Sequence, residues 1–410
     1  MSNPNDILIE EAARFKPIYN ATSQPPHQPG LHALIIGISQ HAHLPFPGQE
    51  PTKAQQRFGL GLQQLTCAAT TGFRVYKWLL DHRDDLALPL LTVRLLLAAT
   101  TEELASVEGL RDVASDARRE SVLRAAWAWR ANAALRATDQ TLFYFVGHGF
   151  QRKRGGQVLI LEDIGEGIGG GRLSNAIEAS DLVNGMAPHG EYSNIATQQL
   201  FIFDACRLPL TEGYQWEEEK CTEIWSVPVA ASDKRTMVEY HTTEPGEAAF
   251  AIRQEQTAFS KALLACLEGG GAEQVSGRWC VTVDSLSRGL RHQVAKVAES
   301  EHAELQKFQV KHVGENATLI YLDEPPEVPV DVRIRPEDAA GSTELTINDL
   351  KAIPQKFGPP VEPHPLLINL KAGSYLVTAY RNGTTYQQLD SLVPPSGSWK
   401  VDAPTLTFQK

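Results

Sequence analysis

The apolar residues of this chain come first in unbroken runs and later in alternation, and the change of pattern divides the sequence. Leu31–Ser39 (LHALIIGIS), Leu91–Ala98 (LTVRLLLA), Thr141–Val146 and Gln199–Phe203 are continuous apolar stretches. Such runs suit strands of a parallel sheet covered on both faces. Met237–His241 and a stretch from Val310 to Tyr321, ending in ATLIYL, add later strands, and Val158–Leu161 marks a short strand pair. Segments of helical spacing lie between them. Leu60 to Leu80 sets Leu62, Leu65, Ala69, Phe73, Tyr76 and Leu80 near one face. Thr101 to Ala137 opens on a candidate N-cap, Thr101, followed by Glu102 and Glu103. Ala176–Met186, Thr257–Leu267 and the amphipathic end of Val281–Glu299 complete the helical set. Strands alternating with helices predict an α/β sandwich around a mainly parallel sheet.

Pro325, Pro326 and Pro329 end that pattern. From Val328 onward only strand signals remain, at Val330–Arg335, Leu366–Leu370, Tyr375–Tyr380 and Leu406–Phe408, separated by turn residues such as Arg381-Asn382-Gly383. Alternation with a period of two, broken by turns, predicts a small all-β sandwich. The expected organisation is an N-terminal extension over 1–30, an α/β domain over 31–323 and a β-sandwich over 328–410.

Composition narrows the function. Of 410 residues, 42% are hydrophobic and 21% charged, the balance of an ordinary globular protein. A net charge of −11, with Arg152-Lys153-Arg154 as the one short basic cluster, argues against nucleic acid as a partner. Five cysteines without CxxC spacing argue against a disulfide framework or a structural zinc site. Met1 to Glu10 has no secretory pattern, and no run approaches the length of a membrane span. The expectation is a cytoplasmic protein with reduced thiols, no membrane contact, and no metal or cofactor.

Two of the apolar runs lead straight into reactive side chains: TLFYFVGHG into His148 and QLFIFDACR into Cys206. In open parallel sheets chemistry gathers at the carboxyl ends of the strands, where both residues fall. One right-handed crossover would bring the two strands side by side. A thiolate activated by imidazole is the nucleophile of cysteine proteases. Gly147 and Gly149 bracket His148, and Ala205 precedes Cys206, leaving room for a peptide backbone. The amides of Gly149 and Cys206 are candidate oxyanion-hole donors. The bland alternative is a buried core thiol and a strand-end histidine; two such motifs on successive strands weigh against it.

Tyr144-Phe145-Val146-Gly147-His148-Gly149 and Asp204-Ala205-Cys206-Arg207 resemble the His and Cys motifs of caspase-like cysteine peptidases (clan CD, family C14), with prokaryotic members and metacaspases the nearest in kind. The caspase signature has Gln-Ala-Cys, then Arg, Gln or Gly, then Gly. Here Asp204 replaces the Gln, and Leu208 stands where Gly is expected. The resemblance spans residues 31–323 and includes HALIIGIS and the later QTAFSKAL. It implies that His148 and Cys206 are the catalytic dyad.

Metacaspases and paracaspases are similar in placing Asp two residues before the nucleophile and cleave after Arg or Lys. Asp204 is therefore the expected selector of a basic side chain, with Asp163, or its neighbour Glu162, as a second pocket carboxylate. The alternative for Asp204 is a structural carboxylate capping a turn or pairing with Arg207. The segment from Leu208 to Met237 is the expected zymogen linker, with Lys220 and Arg235 as candidate processing residues and an ordinary exposed loop as the alternative. Metacaspases often need calcium, but no loop here has the spacing of a calcium site. Expected partners are a protein or peptide substrate and, through the β-sandwich, an activating protease or regulatory protein. The family context is defence or regulated death. The rival function is a catalytically silent scaffold acting through its C-terminal domain.

Other features read blandly. His41 and His43 are expected as solvated loop histidines, Trp127 and Trp129 as packing residues, and Cys67 and Cys266 as core. Cys221 sits in the linker without a sign of function.

Overall fold

A computed structural model describes the chain except for residues 1–9, 11–12, 22–27, 54, 56–60, 154–155, 167–170, 172, 208–219, 226–232, 245–250, 253–254, 301–305, 350–353, 393, 395–396 and 403–410. The described residues gather into two compact units, one of residues 1–262 with 294–317 and the other of 263–293 with 318–410.

In chain order the first unit begins with β1 (Tyr19–Asn20), β2 (Leu31–Ile38), α1 (Ala68–Asp81), β3 (Leu90–Ala98), α2 (Thr101–Ser106), α3 (Leu110–Val113) and α4 (Arg119–Ala133). It continues with β4 (Gln140–Val146), β5 (Gly149–Lys153), β6 (Gly156–Ile160), β7 (Ala176–Glu178), α5 (Ala179–Gly185), β8 (Gln198–Asp204) and β9 (Thr236–His241). The short pair β10 (Ala251–Ile252) and β11 (Gln256–Thr257) leads into α6 (Ala258–Ala265). The remaining elements are β12 (Glu273–Val275), β13 (Arg278–Thr282), α7 (Val283–Ser300), β14 (Gln309–Val313), β15 (Thr318–Leu322), β16 (Glu327–Arg335), β17 (Glu344–Asn348), β18 (Gln355–Phe357), β19 (Leu366–Lys371), β20 (Gly373–Arg381), β21 (Thr384–Leu392) and β22 (Gly397–Asp402).

The main sheet has the order β1-β3-β2-β4-β8-β9-β14. Its five inner strands are parallel, and β1 and β14 close the edges antiparallel. Side-chain alternation explains the unbroken apolar runs. Leu34, Ile36, Phe143, Phe145, Phe201 and Phe203 join one core with Val122, Ala126 and Trp129 of α4. On the other face Gly37 of β2 lies against the start of α1 so closely that a Cβ would sit 2.7 Å from the Ala68 carbonyl oxygen. Every residue of β2, β3 and β4 is therefore buried, and neither parity there can be polar without a partner.

A separate three-stranded sheet, β5-β6-β7, follows β4 and has its own small core of Phe150, Val158, Ile160, Ile164, Leu173 and Ala176. The second unit contains the three-stranded sheet β12-β13-β15 and two further sheets, β19-β16-β22 and β18-β17-β20-β21. Val328, Val330, Val332 and Ile334 of β16 share one core with Leu345, Ile347, Val377 and Ala379 of β17 and β20. These sheets thus pack face to face, the sandwich that the alternating pattern predicts. The expected strand at Leu406–Phe408 lies outside the described residues.

Several expectations need correction. The helix expected from Leu60 begins only at Ala68, because Leu62 packs instead against the core of the small sheet. The 101–137 segment is three helices rather than one, interrupted at Gly109, which has a φ of +78°. Its N-cap is Thr100, not Thr101: the Thr100 hydroxyl accepts from the Glu103 amide while the Glu103 carboxylate accepts from the Thr100 amide. Ala176–Glu178 is a strand, so the crossover helix starts at Ala179. Val310–Tyr321 is two strands in different sheets, since ATLIYL pairs with β13 rather than with the main sheet.

Glu103 also joins the loop after β2 to the start of α1. Its Oε1 accepts from Ser39 Oγ at 2.9 Å, Thr70 N at 3.0 Å and Thr70 Oγ1 at 3.1 Å. Its Oε2 accepts from Thr100 N at 2.9 Å and Thr100 Oγ1 at 3.1 Å. Removing this buried carboxylate leaves several donors without water or partner. Glu103→Ala is expected to lower unfolding stability by about 3 kcal/mol or more in chemical denaturation, and Glu103→Gln by less. A loss under about 1 kcal/mol for the alanine variant would refute this role.

Candidate active site

The ladder between β4 and β8 sets Val146 opposite Asp204, and the Gly147 amide reaches the Asp204 carbonyl at 3.3 Å. His148 and Cys206 each follow two residues beyond these partners, at the carboxyl ends of neighbouring parallel strands. Adjacent strands lie about 4.8 Å apart, so the ladder alone delivers the two residues to one place on the sheet rim. Backbone contact there is close. A Cβ on Gly149 would sit 2.9 Å from both the Cys206 carbonyl oxygen and the Ala205 Cβ. Only glycine lets the histidine strand pass this near the cysteine turn. Cys206 is half-buried and outside any disulfide, whereas Cys67, Cys266 and Cys280 are buried, as expected for the first two.

His148 is 9% exposed. Its Nε2 lies 2.6 Å from the carbonyl oxygen of Gln63. A carbonyl only accepts, so Nε2 carries the proton and the neutral ring keeps Nδ1 as its basic nitrogen. Burial pushes the His148 pKa below the ordinary histidine value, and the Gln63 carbonyl partly opposes this. Gln63 belongs to the loop that sequence periodicity assigned to a helix. That loop is fixed by its neighbour Gln64, whose side chain accepts from His41 N at 2.5 Å and donates to the carbonyls of His41 at 2.5 Å and Leu44 at 2.8 Å. His41, expected as a solvated loop residue, is instead buried with its ring 5.2 Å from that of His148. Burial, first of all, and the neighbouring His148 push its pKa down to about 3, so this second ring stays uncharged beside the first.

The turn at Cys206 is held from behind. The Ala205 carbonyl accepts from Gln157 Nε2 at 3.1 Å and from Thr243 Oγ1 at 3.3 Å. In a trans peptide the N–H points opposite to the carbonyl, so the Cys206 amide faces away from Gln157 and Thr243. The Gly149 amide is similarly placed by register. Ile160 N donates to the His148 carbonyl at 3.0 Å, which makes 148 and 160 a hydrogen-bonded pair of the antiparallel β5–β6 ladder. Such pairs alternate, so at Gly149, opposite Leu159, the N–H points away from β6.

Asp204, on β8, is 2% exposed. Tyr144 OH donates to its Oδ2 at 3.0 Å, and Thr257 Oγ1 donates to the same oxygen. Its Oδ1 has no hydrogen-bond partner, and no ion pair among the described residues includes it. Burial pushes its carboxyl up to about 6, against the pull of the Thr257 and Tyr144 hydroxyls. It does not pair with Arg207, whose guanidinium instead reaches Gln309 Oε1 at 2.8 Å.

The remaining sequence candidates lie elsewhere. Asp163 accepts from the Arg119 amide at 3.0 Å and Glu162 from the Ala117 amide at 2.6 Å, so the described contacts of both carboxylates are with the start of α4. Arg235 is buried, forked onto Asp233 and donating to the Val183 carbonyl and to Gln199. It is not the exposed loop cation that a processing site requires. Lys220 is exposed, and the linker before it, residues 208–219, lies outside the described residues. Trp129 is core, as expected, while Trp127 keeps an exposed edge. Among the described residues no group of three or more His, Cys, Asp or Glu side chains is placed to hold a metal ion, and no helix is long and apolar enough to cross a membrane. The parts played by Gln63, Gln64 and Gln157 have no trace in the sequence, because backbone carbonyls and side-chain amides leave no spacing signature.

The ladder thus leads to a histidine and a cysteine beyond adjacent strand ends of a parallel α/β sheet. The family described as Caspase domain matches residues 32–316, and the chain belongs to this family of cysteine peptidases. A search of curated proteins gives no match.

The raised Asp204 carboxyl has a stability consequence. The folded chain binds this proton more tightly than the unfolded chain does, so the contribution is complete below pH 4 and is lost as pH rises through about 6. Wild type should therefore lose on the order of 3 kcal/mol relative to Asp204→Asn between pH 4 and pH 7, measured by denaturant titration. A difference that is flat, or that grows with pH, would contradict this assignment.

Proposed function

We propose that the protein is a cysteine endopeptidase that cleaves after Arg or Lys. The observation that carries this reading is the register of β4 on β8, which supports a pairing of His148 and Cys206 beyond the ends of two adjacent strands, together with the Gln63 carbonyl at His148 Nε2. In the proposed reaction His148 Nδ1 takes the thiol proton as Cys206 Sγ bonds to the substrate carbonyl carbon. The amides of Cys206 and Gly149 hold the oxyanion. The C–N bond then breaks, the leaving amine takes the proton from His148, and water hydrolyses the thioester to a carboxylate and the free thiol.

Asp204 is the proposed selector of the basic side chain. Support comes from its buried, unpartnered Oδ1 and the absence of a cation among its described contacts. An incoming guanidinium would supply the missing charge and donors. Asp163 is engaged at α4, so Asp204 carries the specificity in this reading. Activation is proposed to follow self-cleavage after Lys220, in the defence or regulated-death setting that the family suggests. The β-sandwich would recruit a substrate or a regulator.

The test is turnover of fluorogenic peptides ending in Arg, Lys or Asp, beside Cys206→Ala. Wild type should cleave the Arg and Lys peptides, and Asp204→Asn should lose about a hundredfold on them. No turnover of any peptide would favour the silent scaffold, and cleavage after Asp alone would remove the role of Asp204. Intact mass after prolonged incubation should show a cut after Lys220 in wild type and none in Cys206→Ala.

The pH profile gives a second check. With the His148 pKa lowered, the ring is neutral at pH values where an ordinary histidine would be charged. The acid limb of kcat/KM should fall below pH 6.5. A limb above that value would contradict His148 as the buried base.

A further inference from the structure

We infer that Gln157 is a positioning residue for the oxyanion-binding amide of Cys206, and that His241 and Glu239 hold it in place. The inference rests on the peptidase reading above and adds to it a second line of residues behind the turn.

Gln157 lies on β6, outside the main sheet, and is 1% exposed. Its Nε2 is 3.1 Å from the Ala205 carbonyl oxygen and 3.4 Å from the Cys206 carbonyl oxygen. Both neighbours accept only, so this end of the amide donates and Oε1 must be the acceptor. His241 Nδ1 stands 2.8 Å from that Oε1 and therefore donates. The ring of His241, the last residue of β9, stacks on Phe203 with centroids 5.0 Å apart. Its Nε2 faces Glu239 Oε2 at 3.2 Å, and Lys311 Nζ holds the other Glu239 oxygen at 2.7 Å. Although burial works the other way, hydrogen bonds from His241 and Lys311 keep the Glu239 carboxyl below its usual range. The chain Lys311–Glu239–His241–Gln157 thus ends on the peptide whose N–H faces the proposed oxyanion.

Geometry sets the sensitivity. Gln157 donates to two successive carbonyls, one on each side of the Cys206 Cα, and so sets the rotation of the Ala205–Cys206 peptide. An oxyanion donor works only when it is aimed beforehand at the position where charge develops. Releasing Gln157 leaves the Ala205 carbonyl with the Thr243 hydroxyl alone and loosens that rotation without touching the thiol or the imidazole. A purely structural role, satisfying two strand-end carbonyls, would instead show as lost stability with an unchanged chemical step.

The experiment compares Gln157→Leu, His241→Phe and His241→Asn in the full chain. It reads peptide turnover, thermal midpoint and the rate of Cys206 alkylation by iodoacetamide. Gln157→Leu keeps the volume and loses the amide. His241→Phe keeps the stack on Phe203 and loses the donor, and His241→Asn keeps a donor near the place of Nδ1. Gln157→Leu and His241→Phe should lower kcat by about tenfold to a hundredfold, less than removal of a direct oxyanion donor, with KM within about twofold. Alkylation should stay within about twofold of wild type, because displacement of iodide builds no oxyanion. His241→Asn should recover most of kcat. A kcat within twofold of wild type for Gln157→Leu and His241→Phe would overturn the assignment, as would alkylation that falls in step with kcat or a His241→Asn variant as slow as His241→Phe. Absence of turnover in wild type itself would overturn the peptidase reading and this assignment with it.

Discussion

The parallel ladder that joins β4 to β8 places Val146 opposite Asp204, and the consequences spread in both directions from that pair. Below the rim it stacks Phe143, Phe145, Phe201 and Phe203 against α4, while Tyr144 and Asp204 meet on the opposite face. A slip of one residue would exchange the faces, sending Asp204 into the aromatic core and the phenylalanines toward Thr257. The register is therefore enforced by burial on both faces. Above the rim, the same register leads the chain to His148 from one strand and to Cys206 from its neighbour. The site inherits its precision from the core beneath it.

Loops at strand ends carry backbone groups that the sheet cannot satisfy, and here buried side-chain amides and carboxylates take them up. Glu103 gathers the loop after β2, the first turn of α1 and the cap of α2. Gln64 clips residues 41 and 44, which steadies the Gln63 carbonyl on His148. Gln157 does the same for the turn at Cys206. Each side chain joins segments far apart in sequence, so each converts a mobile connection into part of the scaffold. Rigid supports of this kind would let the proposed catalytic pair sit on loops without drifting.

Much of the framework was legible because its signals are local. Continuous apolar runs marked the inner strands, since a strand covered twice has no polar parity. The alternation after Pro329 marked the sandwich. Legibility failed where a residue's partner is distant. Leu62 fits a helical stripe in sequence, yet it packs against the small-sheet core that holds Phe150 and Ile160, so α1 begins late and the loop before it reaches His148. His41 looks like a surface residue until Leu161 and His148 are folded over it. Arg235 looks like an exposed linker cation, but Asp233, Val183 and Gln199 bury it. Asp163 follows a strand near the site, and only the fold shows that its oxygen meets the amide of Arg119. Short polar side chains say what bonds are needed but not who makes them.

Asp204 is where stability and the proposed chemistry pull apart. A carboxylate with one oxygen satisfied by Tyr144 and Thr257 and the other unpartnered is costly once ionised, which is why burial lifts its pKa. An asparagine would keep an oxygen for both hydroxyls and add no charge, so packing alone gives no reason for the acid. The cost falls above pH 6, where the carboxylate is charged and can attract a cation. A guanidinium brought by a substrate would complete the charge pair that the folded chain leaves open. On that reading the strain is relieved by binding, and the site spends a little of the fold's stability to recognise a basic side chain.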